Sequence, residues 1–112
     1  MEKDCLFCKI VNGDIPGDFL LENDDLIVIR DINPQAPTHL LIIPKKHIRS
    51  INDITDAEAE IMPGMIRVAR RMAEKENVAE SGYKLVFNVE KGGGQVIFHL
   101  HMHLIGGWKK KP

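Results

Sequence analysis

Val96-Ile97-Phe98-His99-Leu100-His101-Met102-His103-Leu104-Ile105 is the stretch that decides the fold. Apolar and imidazole side chains alternate strictly over residues 98–104. Successive side chains of an extended strand point to opposite faces. A strand therefore gathers His99, His101 and His103 on one face and Phe98, Leu100, Met102 and Leu104 on the other. A helix would scatter the same imidazoles around its circumference and leave no apolar stripe. The alternation predicts a strand, with three of the five histidines in a row at roughly 7 Å intervals, twice the strand rise.

A solvated strand face usually draws Thr, Lys or Glu, so three histidines in register point to chemistry instead. Imidazoles suit either a metal site or nucleophilic and acid–base work on a substrate lying along the face. Three of them on one straight strand do not converge on a single ion. A division of duties is expected.

Composition bounds the rest. The 112 residues are 44% hydrophobic and 28% charged, as in ordinary globular proteins, and predict a single domain, 1–112, with one core. A net charge of −1 gives no reason to expect nucleic acid or an anionic membrane as partner. Met1-Glu2-Lys3-Asp4 carries both signs of charge with no apolar run behind it, so no signal peptide is expected. The longest apolar runs, such as residues 40–43, are four residues and far too short to span a bilayer. A reducing cytosol is the expected location. There Cys5 and Cys8 are not expected to form a structural disulfide. They fit a redox dithiol poorly, since only four residues precede Cys5. A pair of buried thiols, or half of a zinc site completed by histidines, fits the spacing better.

In chain order, residues 5–12 predict a short helix ended by Gly13. Residues 19–22 and 26–30 predict a hairpin around the turn cluster Asn23-Asp24-Asp25. Residues 31–38 form a two-proline loop of the kind that carries ligand contacts on a firm scaffold. Residues 39–43 are nearly all apolar and fit a central strand buried on both faces, stopped by Pro44. Thr55-Asp56-Ala57-Glu58 matches a capping box. Ile61, Met65, Val68 and Met72 then recur at helical spacing. A long amphipathic helix follows, which Pro63-Gly64 should kink or divide. Residues 84–89 predict a strand, antiparallel to the histidine strand across the Glu90–Gln95 turn. The short basic tail, 106–112, is expected to be mobile.

His99-Leu100-His101-Met102-His103-Leu104-Ile105 resembles the His-φ-His-φ-His-φ-φ motif of the histidine triad (HIT) superfamily. Cys5-Leu6-Phe7-Cys8-Lys9-Ile10, Asp31-Ile32-Asn33-Pro34-Gln35-Ala36-Pro37-Thr38-His39 and Ile43-Pro44-Lys45-Lys46-His47-Ile48 resemble segments of its Hint branch, in the same order. Gly93-Gly94-Gln95 before the triad and Gly106-Gly107 after it do so too. The likeness covers essentially the whole chain. It implies an α+β, HIT-like fold: a five-stranded antiparallel sheet with one long and one short helix, joined into a ten-stranded sheet across a homodimer. It also implies a nucleotide-binding hydrolase that cleaves the P–N bond of purine nucleoside 5′-phosphoramidates through a nucleotidyl-histidine intermediate.

By that resemblance His101 is the nucleophile, provided a fixed acceptor such as a backbone carbonyl holds the proton of its other ring nitrogen. His103 assists the phosphate or leaving group, and His39 lines the same site. Asp31 would accept the ribose hydroxyls, Ile32 would wall the base pocket, and Asn88 and Gln95 would surround the phosphate. Cys5, Cys8, His47 and His99 would hold a closed, structural zinc, with no catalytic metal required. Where Hint proteins usually carry Ser or Thr after the glutamine, this chain has Val96, and weaker phosphoramidase activity is expected. The rival classes are a Fhit-like dinucleoside polyphosphate hydrolase or nucleotidyl transferase, and a nucleotide-binding regulatory module.

Overall fold

A computed structural model describes residues 4–108; of the basic tail, 109–112 lie outside the described residues, whereas Gly106 ends a strand and is not mobile tail. The chain forms helix α1 (Leu6–Val11), strands β1 (Leu21–Glu22), β2 (Leu26–Arg30) and β3 (Thr38–Pro44), helix α2 (Ile61–Lys75), and strands β4 (Tyr83–Val86) and β5 (Met102–Gly106). The five strands make one antiparallel sheet in the order β1-β2-β3-β5-β4, as the resemblance implied. No helix among the described residues is long and apolar enough to cross a membrane.

β3 is buried along its whole length because both faces of the sheet are covered. Its even positions, Leu40 and Ile42, pack with Val28, Met102 and Leu104 against Met65, Val68 and Met72 of α2. Its odd positions, Leu41 and Ile43, pack with Ile27 against Phe7, Cys8 and Ile10 of α1. Odd and even residues alternate across a strand, so His39 falls on the α1 side. The sheet thus has an all-apolar face under the long helix and a face shared between α1 and the imidazoles.

Two expectations are corrected. The histidine strand does not run through residues 98–104: the ladder begins only at Met102. The β3–β5 register pairs Ile42 with Met102, which would set Pro44 opposite Leu100, and proline has no N–H to continue the ladder. Residues 99–101 are held by other means. The Leu100 amide donates to the Ile48 carbonyl at 2.6 Å, and the His99 ring reaches the carbonyl that Pro44 leaves unused, Nε2 to O 2.7 Å. The alternation of facing survives, with Leu100 buried in the α2 core.

The second correction concerns the capping box. Thr55 and Glu58 do form it, but it closes a separate 3₁₀ turn, Asp56–Glu58, and α2 starts at Ile61. A helix running on from residue 56 would bury Pro63 in its interior, against the carbonyl four residues back. Restarting at Ile61 puts Pro63 in the first turn, where no intrahelical N–H bond is due. At its other end α2 closes with Asn77 in the left-handed region, φ 59°. The Asn77 amide donates to the Glu74 carbonyl at 3.1 Å and that of Val78 to the Ala73 carbonyl at 2.9 Å, a Schellman closure.

Candidate active site and metal centre

α1 begins on its own cysteine. The Cys5 Sγ accepts from the Cys8 amide at 3.3 Å and caps the helix, which turns both thiols to the same corner of the sheet. His47, just past the end of β3, and His99 complete that corner. His99 Nδ1 lies 3.2 Å from Cys5 Sγ and 3.5 Å from Cys8 Sγ. His47 Nδ1 lies 3.3 Å from Cys8 Sγ and 3.2 Å from His99 Nδ1. All four ligand atoms fall within 4.8 Å of one another. Zinc in a tetrahedron of two sulfurs and two nitrogens spaces its ligands about 3.3–3.8 Å apart. The four spacings of 3.2–3.5 Å lie close to that range.

The donor chemistry agrees. Because His99 Nε2–H is committed to the Pro44 carbonyl, its Nδ1 carries a lone pair aimed into the cluster, the outer-shell bond that ligating histidines characteristically make. Burial pulls the His99 pKa down to about 4, so the ring is neutral. Four protein ligands leave no open position, which marks a structural rather than a catalytic ion.

A second row of imidazoles stands beside this corner. The His101 Nδ1–H donates to the His99 carbonyl at 2.7 Å, so Nε2 keeps its lone pair, and burial lowers the pKa of the ring. Phe7 stands edge-on to both neighbours, with ring centroids 5.7 Å from His99 and 5.1 Å from His101. His103 follows, its ring centroid 5.1 Å from that of His101.

The tautomers beyond it are set from the loop. The Gln35 amide donates to His39 Nδ1 at 3.0 Å; neutral His39 therefore bears its proton on Nε2. That proton is shared between His103 Nδ1 at 2.9 Å and Asp31 Oδ2 at 3.3 Å. His103, accepting at Nδ1, carries its own proton on Nε2. Burial first, then the neighbouring imidazoles, bring its pKa down to about 4, so it is a neutral donor at pH 7. Asp31, His39 and His103 also cluster closely enough to suggest a metal. The Gln35 amide argues against one, because metal on His39 Nε2 would force a proton onto Nδ1, facing that N–H.

The structure therefore brings Asp31, His39, His101 and His103 together, and Cys5, Cys8, His47 and His99 beside them. Ile32 stands 89% exposed next to Asp31. Asn88 and Gln95 are engaged elsewhere. Asn88 donates to the Gly93 carbonyl. The buried Gln95 amide accepts from the Glu90 N–H and donates to the Arg49 and Ile97 carbonyls. Val96 is 85% exposed and lines a groove of about 550 Å³ with Arg49, Phe98 and Leu6, beside the metal corner. Sequence reasoning missed Phe7, Gln35 and the Pro44 carbonyl. Only Phe7, as an aromatic inside Cys-x-x-Cys, left a trace in side-chain identity; the other two act through backbone atoms.

This sheet, with paired imidazoles on one face and a Cys₂His₂ corner at the strand entrance, defines a histidine triad protein. A family model described as "Scavenger mRNA decapping enzyme C-term binding" matches residues 4–111. A purine nucleoside phosphoramidase of Escherichia coli (strain K12) is 44% identical over 107 residues, 96% of this chain and 90% of that protein. The crystal structure of a HIT family hydrolase from Legionella pneumophila Philadelphia 1 is 51% identical, with a TM-score of 0.91 and 95% of each chain covered. A Zn-bound histidine triad family protein from Mycobacterium smegmatis is 32% identical, with a TM-score of 0.81, covering 92% of this chain and 74% of that one. The chain belongs to the family of that model and is a Hint-like member of the HIT superfamily.

Proposed function

We propose that this protein is a purine nucleoside phosphoramidase that cleaves the P–N bond of nucleoside 5′-phosphoramidates to the nucleoside monophosphate and an amine. The observation that carries the proposal is the bond from His101 Nδ1–H to the His99 carbonyl, which leaves a neutral Nε2 lone pair free to attack phosphorus. The identity to the Escherichia coli phosphoramidase over nearly the whole chain supports it.

In the first step His101 Nε2 bonds to the α-phosphorus and the P–N bond to the amine breaks. His103 Nε2–H stands beside it to hydrogen-bond the departing nitrogen, which takes its proton from solvent, since a neutral imidazole that gave up its N–H would be left an anion. Water then attacks the nucleotidyl-histidine, breaks its P–N bond and frees the monophosphate, returning neutral His101 and giving one proton back to solvent. His39 keeps the His103 tautomer through its shared proton. Asp31 takes the ribose hydroxyls and Ile32 the base. Asn88 and Gln95 act around the phosphate by shaping the loop that faces it. Zinc on Cys5, Cys8, His47 and His99 would cross-link α1 to the approach of the catalytic row and take no part in the chemistry.

The remaining features of the proposal are a single domain, 1–112, a location in the reducing cytosol where the two cysteines, neither in a disulfide, stay available to metal, and a homodimer. β4 is the longer of the two edge strands, since β1 has two residues. Two copies of β4 pairing across a two-fold axis would give the ten-stranded sheet and cover the apolar side chain of Leu85.

The test is AMP release from adenosine 5′-phosphoramidate by the native chain and by His101→Ala, with diadenosine tetraphosphate alongside. Turnover of the phosphoramidate, abolished by the substitution, is expected. Preferred cleavage of the dinucleotide would move the protein to the Fhit-like branch. Binding of AMP without turnover of either compound would leave a nucleotide-binding module.

A further inference from the structure

Glu90 has a backbone that glutamate rarely adopts, φ 61° and ψ 176°, a region that is close to exclusive to glycine. Such a conformation persists only where its surroundings over-determine it. Here they do. The carboxylate takes a fork from Arg49, with Nε at 3.2 Å and a terminal nitrogen at 3.0 Å, and the Ser50 hydroxyl at 2.8 Å. The amide of Glu90 donates to the Gln95 side chain at 2.7 Å. Its carbonyl accepts from the amides of Gly93 and Gln95, both at 3.0 Å. Gln95 in turn donates to the Arg49 carbonyl at 2.7 Å.

These bonds join two stretches with no regular pairing between them. One is residues 47–50; the other is residues 88–101, which lead into β5. The same join carries the Leu100 amide to the Ile48 carbonyl, one residue from His101 and next to the carbonyl that holds the His101 ring. Arg49 and Glu90 are half-exposed, and an exposed ion pair adds little stability of its own. Its consequence is geometric.

We infer that Glu90 is a positioning residue: its strained backbone and carboxylate clamp residues 88–97 onto 48–50 and so set the place of the 99–101 segment that carries the nucleophile. The inference rests on the proposed phosphoramidase activity for its kinetic arm alone. A small displacement of a reacting group costs rate far more than binding. The clamp therefore acts on kcat.

Three variants separate this from a merely structural role. Glu90→Gly accepts the left-handed backbone without strain but loses the carboxylate, so its Tm should stay within a few degrees of the native value. Its kcat for adenosine 5′-phosphoramidate should fall about tenfold, with KM changed less than about twofold. Glu90→Gln, which keeps an acceptor for Ser50 and Arg49, should recover most of that loss, and Glu90→Ala should not. Hydrogen exchange of the Leu100 amide, read by NMR, should quicken about tenfold in Glu90→Gly, whatever the activity. A Glu90→Gly protein with native kcat and native Leu100 exchange would overturn the inference, as would a loss of kcat in all three variants that merely tracks their Tm. Were the native chain to turn over no phosphoramidate while Leu100 exchange still quickened in Glu90→Gly, the activity proposal would fall and the positioning role would stand.

Discussion

His103 is neutral in the folded chain because burial and two neighbouring imidazoles hold its pKa at about 4, against about 6.5 in an unfolded chain. Between those values the unfolded state binds the extra proton. Stability contributed by this residue is therefore complete above pH 6.5 and is lost as pH falls toward 4. With allowance for the ring's partial exposure, the loss is about 1–2 kcal/mol. Urea midpoints at pH 7 and pH 4.5 should differ less in His103→Gln than in the native chain; an equal difference would refute the assignment. At Val96 the expectation is kinetic. Val96→Ser should raise kcat/KM for the phosphoramidate a few-fold if a hydroxyl there serves the leaving group, and an unchanged value would show that the exposed groove wall is not part of that path. The tautomers of His39 and His103 were beyond reach of the sequence, because they are set by the Gln35 amide, directly and through His39; for His101 a backbone acceptor was expected, and it is the His99 carbonyl. That the three histidines of the row would not share one ion was legible from their spacing on a single strand, and His99 does stand in a different cluster from His103. Which four residues share the metal corner came only with the family resemblance.

Among elements, β2 and β3 were legible because burial on one or both faces imprints a period of two or an unbroken apolar run. The start of β5 was not. It depends on Pro44 standing opposite Leu100, a fact of register that exists only once the strands are paired. The capping box was read correctly as a motif and attached to the wrong helix, since Pro63 decides where α2 can begin. This yields a test. Thr55→Ala should cost about 1 kcal/mol, seen as a lowered urea midpoint, while amide exchange across the first turns of α2 stays native. Fraying of α2 in that variant would show that the box does support the long helix. α1 presents the opposite case. Its six residues are too few for a helix to stand alone in water, so its order derives from the packing of Phe7 and Ile10 and from the metal corner.

At the scale of the molecule, the four ligands tie Cys5 to His99, 94 positions apart in sequence. An ion that binds only the folded chain stabilises it by mass action. Metal analysis should give about one zinc per chain. Removal by a strong chelator should lower Tm by on the order of 10 °C, restored on adding zinc back; an unchanged Tm after complete removal would deny the corner a structural role. The strand order carries one more consequence, for the making of the protein. β1, β2 and β3 are neighbours in sequence and can pair as soon as they exist, yet they leave β3, the most apolar strand, with an open side. Its other neighbour is β5, where His39 meets Ile105 across 66 positions, and such distant contacts form slowly. A nascent chain that stops short of residue 102 therefore exposes an unsealed apolar edge, the kind of surface through which incomplete chains aggregate. The residues that close the sheet are the same stretch that delivers His103 and follows His99 and His101. Synthesis of that short segment thus completes the barrier against aggregation and the chemistry together, and no partly made chain can have one without the other.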